Sequence, residues 1–198
     1  VDGTLTPSRK KIDKEFSKFF SNFCKNNQVY LVTGSDRDKT VEQLGKTLYN
    51  KCKRVYNCSG NSVWEKTKNV YTSEWSCPFT LSTYLELELN ASKFSLRTGK
   101  HIETRPGCIN FSIIGRNATF PERDQYVAWD QKMEERDNLA QNIRRLFPDL
   151  SVTVGGETGI DIAPEGHDKS QILQDFETYD TITFFGDKTF VGGNDYSV

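Results

Sequence analysis

Three short polar sequences stand where the chain pattern predicts the end of a β-strand: Asp2-Gly3-Thr4, Thr33-Gly34-Ser35 and Gly186-Asp187. In an open parallel sheet, ligands bind beyond the carboxyl ends of the strands, so these sequences are expected at one sheet edge. Carboxylates and a backbone carbonyl are typical ligands of Mg²⁺. Lys169, the hydroxyl groups and the N–H groups of a helix N-terminus suit a phosphate. The combination predicts a site for magnesium and a phosphate group.

Each of these residues also has an ordinary structural explanation. Asp2 could cap a helix, Asp187 could form a turn, and Lys169 could carry a surface charge. One acidic residue after a strand is common, but two such residues combined with a hydroxyl and a lysine are less so. The set as a whole therefore favours a functional site.

The flanking parts of the chain contain the elements that would position this site. The apolar pattern predicts three helices, over 10–26, from a cap at Asp36 through Leu48, and over 169–176. It also predicts strands over 29–32, 54–56 and 181–185, and a hairpin around 63–64 and 70–71. Strands that alternate with helices are typical of a Rossmann-like parallel α/β sheet with right-handed connections.

The middle of the chain has a different pattern. It predicts a helix over 80–89, strands over 102–105, 108–114, 150–154 and 159–162, and one long helix from Pro121 to Leu146. These elements do not simply alternate, which indicates an inserted α+β domain. We therefore expect a discontinuous core over 1–76 and 164–198 with a cap domain over 77–163. We also expect the core to be truncated at both ends, because a first strand is cut short and a sheet edge is left uncovered.

Composition excludes several classes of protein. The 198 residues carry 26 basic and 27 acidic side chains, a net charge of −1, which argues against a general nucleic-acid binder. A mean hydropathy of −0.64 without a long apolar run excludes a membrane span. Five cysteines without CxxC spacing indicate reduced thiols in a cytoplasmic protein.

The polar motifs resemble those of the haloacid dehalogenase superfamily of phosphotransferases. Asp2-Gly3-Thr4-Leu5-Thr6 is similar to the end of the D-x-D-G-T-L-T motif, and Thr33 to the second-motif hydroxyl. Lys169 resembles the third-motif lysine. Gly186-Asp187 with Gly192-Gly193-Asn194-Asp195 resembles the acidic fourth motif. All four occur in the order and spacing of that superfamily.

The resemblance extends to the eukaryotic-type phosphomannomutases over nearly the whole chain. The segments that carry it are Val1 to Arg9, Gly34 to Asp36, Glu42 to Gly45, Asn110 to Arg116, Gly155-Gly156, Gly166 to Lys169 and Phe184 to Asp195. It implies a haloacid dehalogenase-type core with an inserted cap, in agreement with the element order. It also implies a cap that closes to exclude water and a homodimer through the cap.

The resemblance assigns roles to the residues of the core. The phosphoryl acceptor of the family is the first Asp of D-x-D, which would stand immediately before Val1. Asp2 would be the general acid/base, and its backbone carbonyl would bind Mg²⁺. Asp187, Asn194 and Asp195 would complete the metal site. Lys169 would neutralise the acceptor and a phosphate oxygen, assisted by the hydroxyl of Thr33 or Ser35.

A second set of residues would bind the substrate. Arg9, Arg105, Arg116 and Arg123 match arginines of the family, and a guanidinium group can hold a phosphate with two hydrogen bonds. Asp161 matches a ligand of the sugar hydroxyls, and Gly159 stands where the family usually has serine. A bisphosphate that must present either end to one acceptor needs such a distant cationic set, whereas a simple phosphatase does not.

Three interpretations follow from the sequence. The first is a mutase that interconverts mannose 6-phosphate and mannose 1-phosphate, with Mg²⁺ and a hexose 1,6-bisphosphate activator. The second is a magnesium-dependent sugar-phosphate phosphatase. Thr33 favours this interpretation because the mutases carry glycine there, and the missing hydroxyl at Gly159 favours it too. The third is a binding protein that keeps the fold without the chemistry.

Overall fold

A computed structural model describes residues 1–191 and 193–198. The chain divides into two compact units. Val1–Glu74 and Gly166–Val198 form the first, called the core unit here, and Trp75–Glu165 form the second, called the inserted unit. The organisation is the α/β fold with an inserted α+β segment that the element order predicts.

The core unit is built on a four-stranded sheet in the order β1-β2-β3-β4. Its elements are α1 (Lys14–Asn26), β1 (Tyr30–Val32), α2 (Arg37–Leu44), α3 (Lys46–Tyr49), β2 (Arg54–Asn57), β3 (Ser62–Glu65) and β4 (Lys68–Thr72). The first two strands are parallel, and the other neighbours are antiparallel. The predicted hairpin is confirmed as β3 and β4.

Local sequence explains where the core helices begin and end. The carboxylate of Asp13 accepts hydrogen bonds from the backbone of the first turn of α1, and that of Asp36 does the same for α2. The predicted cap at Asp36 is thus confirmed. The single helix predicted from Asp36 through Leu48 is wrong, because Gly45 adopts a φ of +79° that ends α2 before α3 begins.

Of the two elements predicted for the end of the chain, one is confirmed and one is wrong. The helix predicted over 169–176 is present as a 3₁₀ helix, Lys169–Asp175. Residues 181–185 form no strand. They line one side of a groove of about 630 Å³ that β1 lines on another side. A strand requires paired backbone groups, and this segment lacks that pairing although its residue types favour it.

The inserted unit is an antiparallel sheet covered by helices. It contains α4 (Phe79–Ala91), β5 (Ile102–Arg105), β6 (Cys108–Phe111), α5 (Phe120–Met133), α6 (Glu135–Leu146), β7 (Leu150–Gly155) and β8 (Gly159–Pro164). The strand order is β5-β6-β8-β7. Leu81 and Leu85 of α4 are fully buried in the core of this unit, together with Ile109, Ile143 and Ile160.

Two boundaries in the inserted unit differ from the prediction. The long helix predicted over 121–146 is two helices, because Glu134 adopts a left-handed conformation with a φ of 50° between them. β6 ends at Phe111 rather than at residue 114, since the chain turns at Ser112 and Gly115. α5 begins with a capping box formed by Thr119 and Glu122.

Two further predictions concern membrane spans and the state of the cysteines. Among the residues described, no helix combines the length and the apolar character needed to cross a bilayer. The five cysteines are thiols that are not joined in disulfides, as the sequence predicts.

Candidate functional site

The end of β1 forms a hydroxyl-lined turn. The backbone N–H of Thr33 donates to the carbonyl of Tyr56, which continues the parallel pairing beyond the strand. The Thr33 Oγ1 accepts a 3.2 Å hydrogen bond from the N–H of Ser35, and Thr33 is buried. Both predicted hydroxyl groups therefore belong to one tight turn at the carboxyl end of the strand.

The carboxylate of Asp2 is oriented by two donors. Its Oδ1 accepts a 2.9 Å hydrogen bond from the backbone N–H of Arg9 and a 2.6 Å hydrogen bond from Nε2 of Gln43. The same Gln43 nitrogen lies 3.1 Å from Oγ1 of Thr6. Gln43 is 2% exposed, so a buried amide from α2 holds the predicted general acid/base. Arg9, which has a φ of 59°, meets Asp2 through its backbone.

Asp187 lies directly against the glycine that follows Asp2. A Cβ atom added to Gly3 would stand 2.4 Å from Oδ2 of Asp187, and the φ of Gly3 is +70°. Only glycine permits this approach together with this backbone conformation. The structure thus brings the first and fourth predicted motifs together.

Lys169 and Asp195 form a buried ion pair. The lysine Nζ donates a 2.6 Å hydrogen bond to Oδ1 of Asp195, and the backbone N–H of Lys188 donates to Oδ2 at 3.2 Å. Burial raises the pKa of Asp195, but the Lys169 ammonium and the Lys188 N–H outweigh it and hold the pKa below its ordinary value. The third and fourth motifs therefore meet through opposite charges.

The four charged side chains of this cluster surround the backbone nitrogen of Val1. Asp2, Asp187, Lys169 and Asp195 all lie within electrostatic reach of that atom. The residues that sequence spacing assigned to one site do converge.

The donor chemistry of this cluster suits a hard cation. Gly186 lies against Asp195, since an added Cβ would stand 2.9 Å from Oδ2, as Gly3 lies against Asp187. Carboxylates approached closely by backbone offer the oxygen ligands that Mg²⁺ prefers. Within the described part of the chain, no three His, Cys, Asp or Glu side chains form a metal-binding group. A metal here would therefore also need backbone carbonyl, amide or water oxygens.

Two further residues that the sequence analysis singled out, Asn194 and His167, lie beside motif residues. Asn194 is half-buried next to Asp195. Gly192 of the predicted fourth motif lies outside the described residues. His167 precedes the lysine motif, and its Nδ1 is 2.8 Å from Oδ1 of the buried Asn61, which supports a positioning role.

The sheet of the inserted unit carries a polar face. Strand register places Glu103 opposite Asn110, and Asn110 opposite Asp161. Directly paired residues share a face, and so do residues two apart on one strand, so Arg105 joins them. The Nδ2 of Asn110 donates a 2.7 Å hydrogen bond to Oδ1 of Asp161. The opposite face is apolar and packs in the core of the unit.

Glu103 binds two of the predicted arginines. Its Oε2 accepts from Nε of Arg105 at 3.0 Å and lies 3.0 Å from Nε of Arg116. Burial lowers the pKa of Arg105, but the carboxylates of Asp161 and Glu103 outweigh it and raise the pKa above its ordinary value. Nη1 of Arg116 also lies 3.4 Å from Oδ1 of Asn110. The structure therefore brings Arg105, Arg116 and Asp161 into one cluster.

Arg123 lies in α5 with a different carboxylate. Its Nε and Nη2 donate to Oε2 of Glu157 at 3.2 and 3.1 Å. The side chain is 7% exposed, and its Nη1 is buried without a hydrogen-bond partner among the described residues. An unpaired buried donor is costly, which is consistent with a site that takes an anion.

Gly159 faces the amide of Asn110. A Cβ added to Gly159 would stand 2.6 Å from Nδ2 of Asn110. The amide therefore occupies the space that a side chain at position 159 would need.

Sequence reasoning missed Gln43 and Glu103. Gln43 is a buried polar residue on the inner face of a helix, and such residues are rarely placed without a partner. Glu103 stands two positions before Arg105 in a predicted strand, a spacing that puts both on one face. The spacing of Glu103 and Arg105 is the sequence signal that could have identified Glu103, whereas the burial of Gln43 is seen only in the structure.

Comparison with known proteins agrees with this geometry. The model of the eukaryotic phosphomannomutase family matches residues 16–198. The phosphomannomutase of Spinacia oleracea is 36% identical over 211 residues, which cover 100% of this chain and 83% of that protein. The phosphomannomutase of Saccharomyces cerevisiae is 33% identical over 208 residues, with 100% and 82% covered.

Similar solved structures establish the fold alone. The trehalose-6-phosphate phosphatase C-terminal domain of C. albicans has a TM-score of 0.59 at 16% identity, with 87% of this chain and 58% of that chain covered. A haloacid dehalogenase-like hydrolase from Bacteroides thetaiotaomicron has a TM-score of 0.54 at 15% identity, with 88% and 72% covered. The fold is that of the haloacid dehalogenase-like hydrolases, and by its sequence the chain belongs to the eukaryotic phosphomannomutase family.

Proposed function

We propose that this protein is a phosphomannomutase that interconverts mannose 6-phosphate and mannose 1-phosphate through an aspartyl-phosphate. The observation that carries the proposal is that each unit has its own cationic set suited to a phosphate. The core unit has Lys169 among the carboxylates of its motifs, and the inserted unit has Arg105 and Arg116 joined through Glu103. A reaction through a sugar bisphosphate requires two phosphate-binding sets.

The core unit carries out the transfer. Asp2 delivers a proton to the departing sugar oxygen and later removes one from the incoming hydroxyl, while Gln43 and the Arg9 N–H hold its Oδ1. Lys169 neutralises charge on the phosphoryl group and on its acceptor, the aspartate expected immediately before Val1. The hydroxyl groups of Thr33 and Ser35 bind phosphate oxygens.

A magnesium ion would be held by oxygen atoms of the same unit. Asp187, Asn194, Asp195 and the backbone carbonyl of Asp2 are the ligands we propose, and a bound Mg²⁺ would offset the negative charge of the phosphoryl group. Asp195 already balances Lys169, which keeps the ammonium in place.

The inserted unit binds the parts of the substrate that do not react. Arg105, Arg116 and Arg123 hold the second phosphate. Asp161, whose Oδ1 accepts from Asn110, binds sugar hydroxyl groups. A hexose 1,6-bisphosphate, which carries both phosphates at once, serves as activator.

Product analysis tests the proposal on the protein as its gene encodes it. Mannose 1-phosphate, Mg²⁺ and a hexose 1,6-bisphosphate are added, and mannose 6-phosphate and inorganic phosphate are followed together. We expect the 6-phosphate as the main product. Steady release of inorganic phosphate without it would instead identify a sugar-phosphate phosphatase, and neither product would indicate a binding protein.

We also propose a cytoplasmic homodimer that associates through the inserted unit. On α4, Leu81 and Leu85 are buried in the unit itself, whereas Phe79 and Leu87 are 83% and 64% exposed. Exposed apolar side chains of this size favour contact with a second copy. Sedimentation velocity of the protein and of its Leu87→Lys variant tests this, because the variant should be monomeric.

A further inference from the structure

We propose that Glu103 is a positioning residue that holds the guanidinium groups of Arg105 and Arg116 in the orientation required for a sugar phosphate. This inference rests on the proposed function. It concerns a carboxylate that touches the two arginines and acts on the substrate through them.

One oxygen atom makes the link. Oε2 of Glu103 lies 3.0 Å from Nε of both arginines, and it also accepts from Nη2 of Arg105. The exposed fractions of the three side chains are 26% for Glu103, 12% for Arg105 and 25% for Arg116. At this degree of burial the ion pairs are less screened by solvent than those at an open surface.

Without this carboxylate the two arginines would be like charges close together. They would repel each other, and each long side chain would regain rotational freedom that phosphate binding must remove again. Anchoring through Nε fixes the plane of each guanidinium group, and that plane sets the direction of its donors. Glu103 therefore lowers the entropic cost of binding the anion.

Glu103 also has an opposing effect, because its negative charge weakens the attraction for a phosphate. If that effect were the larger, neutralising Glu103 would tighten binding. The strand register argues for positioning, because it aligns Glu103, Asn110 and Asp161 across three neighbouring strands. Asn110 contacts Arg116, and Asp161 contacts Arg105. The whole face is built around two fixed guanidinium groups.

Calorimetric titration with mannose 1-phosphate tests this independently of turnover. In the Glu103→Gln variant we expect Kd to rise about tenfold, and KM likewise, while kcat stays within about twofold, because binding of a non-reacting group contributes equally to ground and transition states. The Glu103→Asp variant keeps the charge and should recover much of the affinity.

Glu135→Gln is the matched control. Glu135 is another carboxylate of the inserted unit, and it accepts hydrogen bonds from Ser92 and Tyr126 rather than from an arginine. Its variant should lower the melting temperature and leave Kd unchanged. If Glu103→Gln does the same, Glu103 is only structural and the proposal is overturned.

Other outcomes separate this inference from the proposed function. Equal or tighter binding by Glu103→Gln would overturn the positioning role, as would a wild-type protein that does not bind the ligand. If the wild type binds mannose 1-phosphate and forms no 6-phosphate, the proposed function fails. A tenfold higher Kd of Glu103→Gln would still support the positioning role.

Discussion

The ammonium group of Lys169 and the carboxylate of Asp195 form a 2.6 Å hydrogen bond, with side chains that are 9% and 6% exposed. The two residues are 26 positions apart, and each belongs to a different motif of the predicted site. Removing either partner would leave the other charge buried and unpaired, which is strongly unfavourable away from water.

Removing one member of this pair should destabilise the protein. We expect Lys169→Met to reduce the free energy of unfolding by about 3–5 kcal/mol, because Asp195 is left buried and uncompensated. Urea unfolding at pH 7 measures the change. Lys18→Met is the control, since the Lys18–Glu15 pair is exposed and its loss should cost only about 0–1 kcal/mol. A loss of similar size in both variants would contradict this.

The same pair predicts part of the dependence of stability on pH. The pKa of Asp195 is below its ordinary value of 3.8 in the folded protein, so the unfolded chain binds the proton more readily. The stabilisation is complete above pH 3.8 and is lost as the pH falls through the folded pKa. Between pH 6 and pH 2 the free energy of unfolding should fall in the wild type, and it should fall less in Asp195→Asn. Parallel curves for the two proteins would refute the assignment.

Gly3 is expected to be essential for the position of Asp187. In Gly3→Ala the new Cβ would collide with the Asp187 carboxylate at 2.4 Å, and a positive φ costs about 1–2 kcal/mol for a residue with a Cβ. We expect a higher Mg²⁺ concentration for half-maximal activity. In Gly45→Ala the backbone is also strained, at a φ of +79°, but the Cβ meets no atom within 4 Å. Its Mg²⁺ requirement should not change, and a shift of equal size would count against a metal role for Asp187.

Two cysteines of the core unit should be unreactive in the folded protein. Burial raises the pKa of Cys24 and also that of Cys52, and the two thiols are in contact. The thiolate is the reactive form, so iodoacetamide at pH 7.5 should modify both far more slowly in the native state than in urea. Mass spectrometry of peptides after timed labelling measures both rates. Equal rates in the two states would disprove the burial argument.

Sequence patterns predicted the elements that depend on local preference. The helix α1 and the hairpin of β3 and β4 were predicted because the spacing of apolar residues and the turn residues can be read from the sequence. The strand over 181–185 was wrong, because pairing depends on neighbours that a local pattern does not contain. The break at Glu134 was missed for another reason, since glutamate gives no signal for a positive φ.

The same distinction applies to the candidate site. Motif spacing predicted that Asp2, Lys169 and Asp187 belong to one site, and the role proposed for each follows from its residue type and position. Gln43 and Glu103 contact partners that only helix packing and strand register bring close. Such residues are therefore found from the structure and not from the motif.

The most direct test of the central claim is the ratio of mannose 6-phosphate formed to inorganic phosphate released, followed by ³¹P NMR for the wild type and Arg116→Gln. Arg144→Gln is the control, because Arg144 donates to the carbonyl of Val152 in the same unit. We predict that the ratio strongly favours the 6-phosphate in the wild type and in Arg144→Gln, and that it falls by at least about tenfold in Arg116→Gln. A wild type that releases only inorganic phosphate, or an unchanged ratio in Arg116→Gln, would contradict the claim that this arginine set makes the enzyme a mutase.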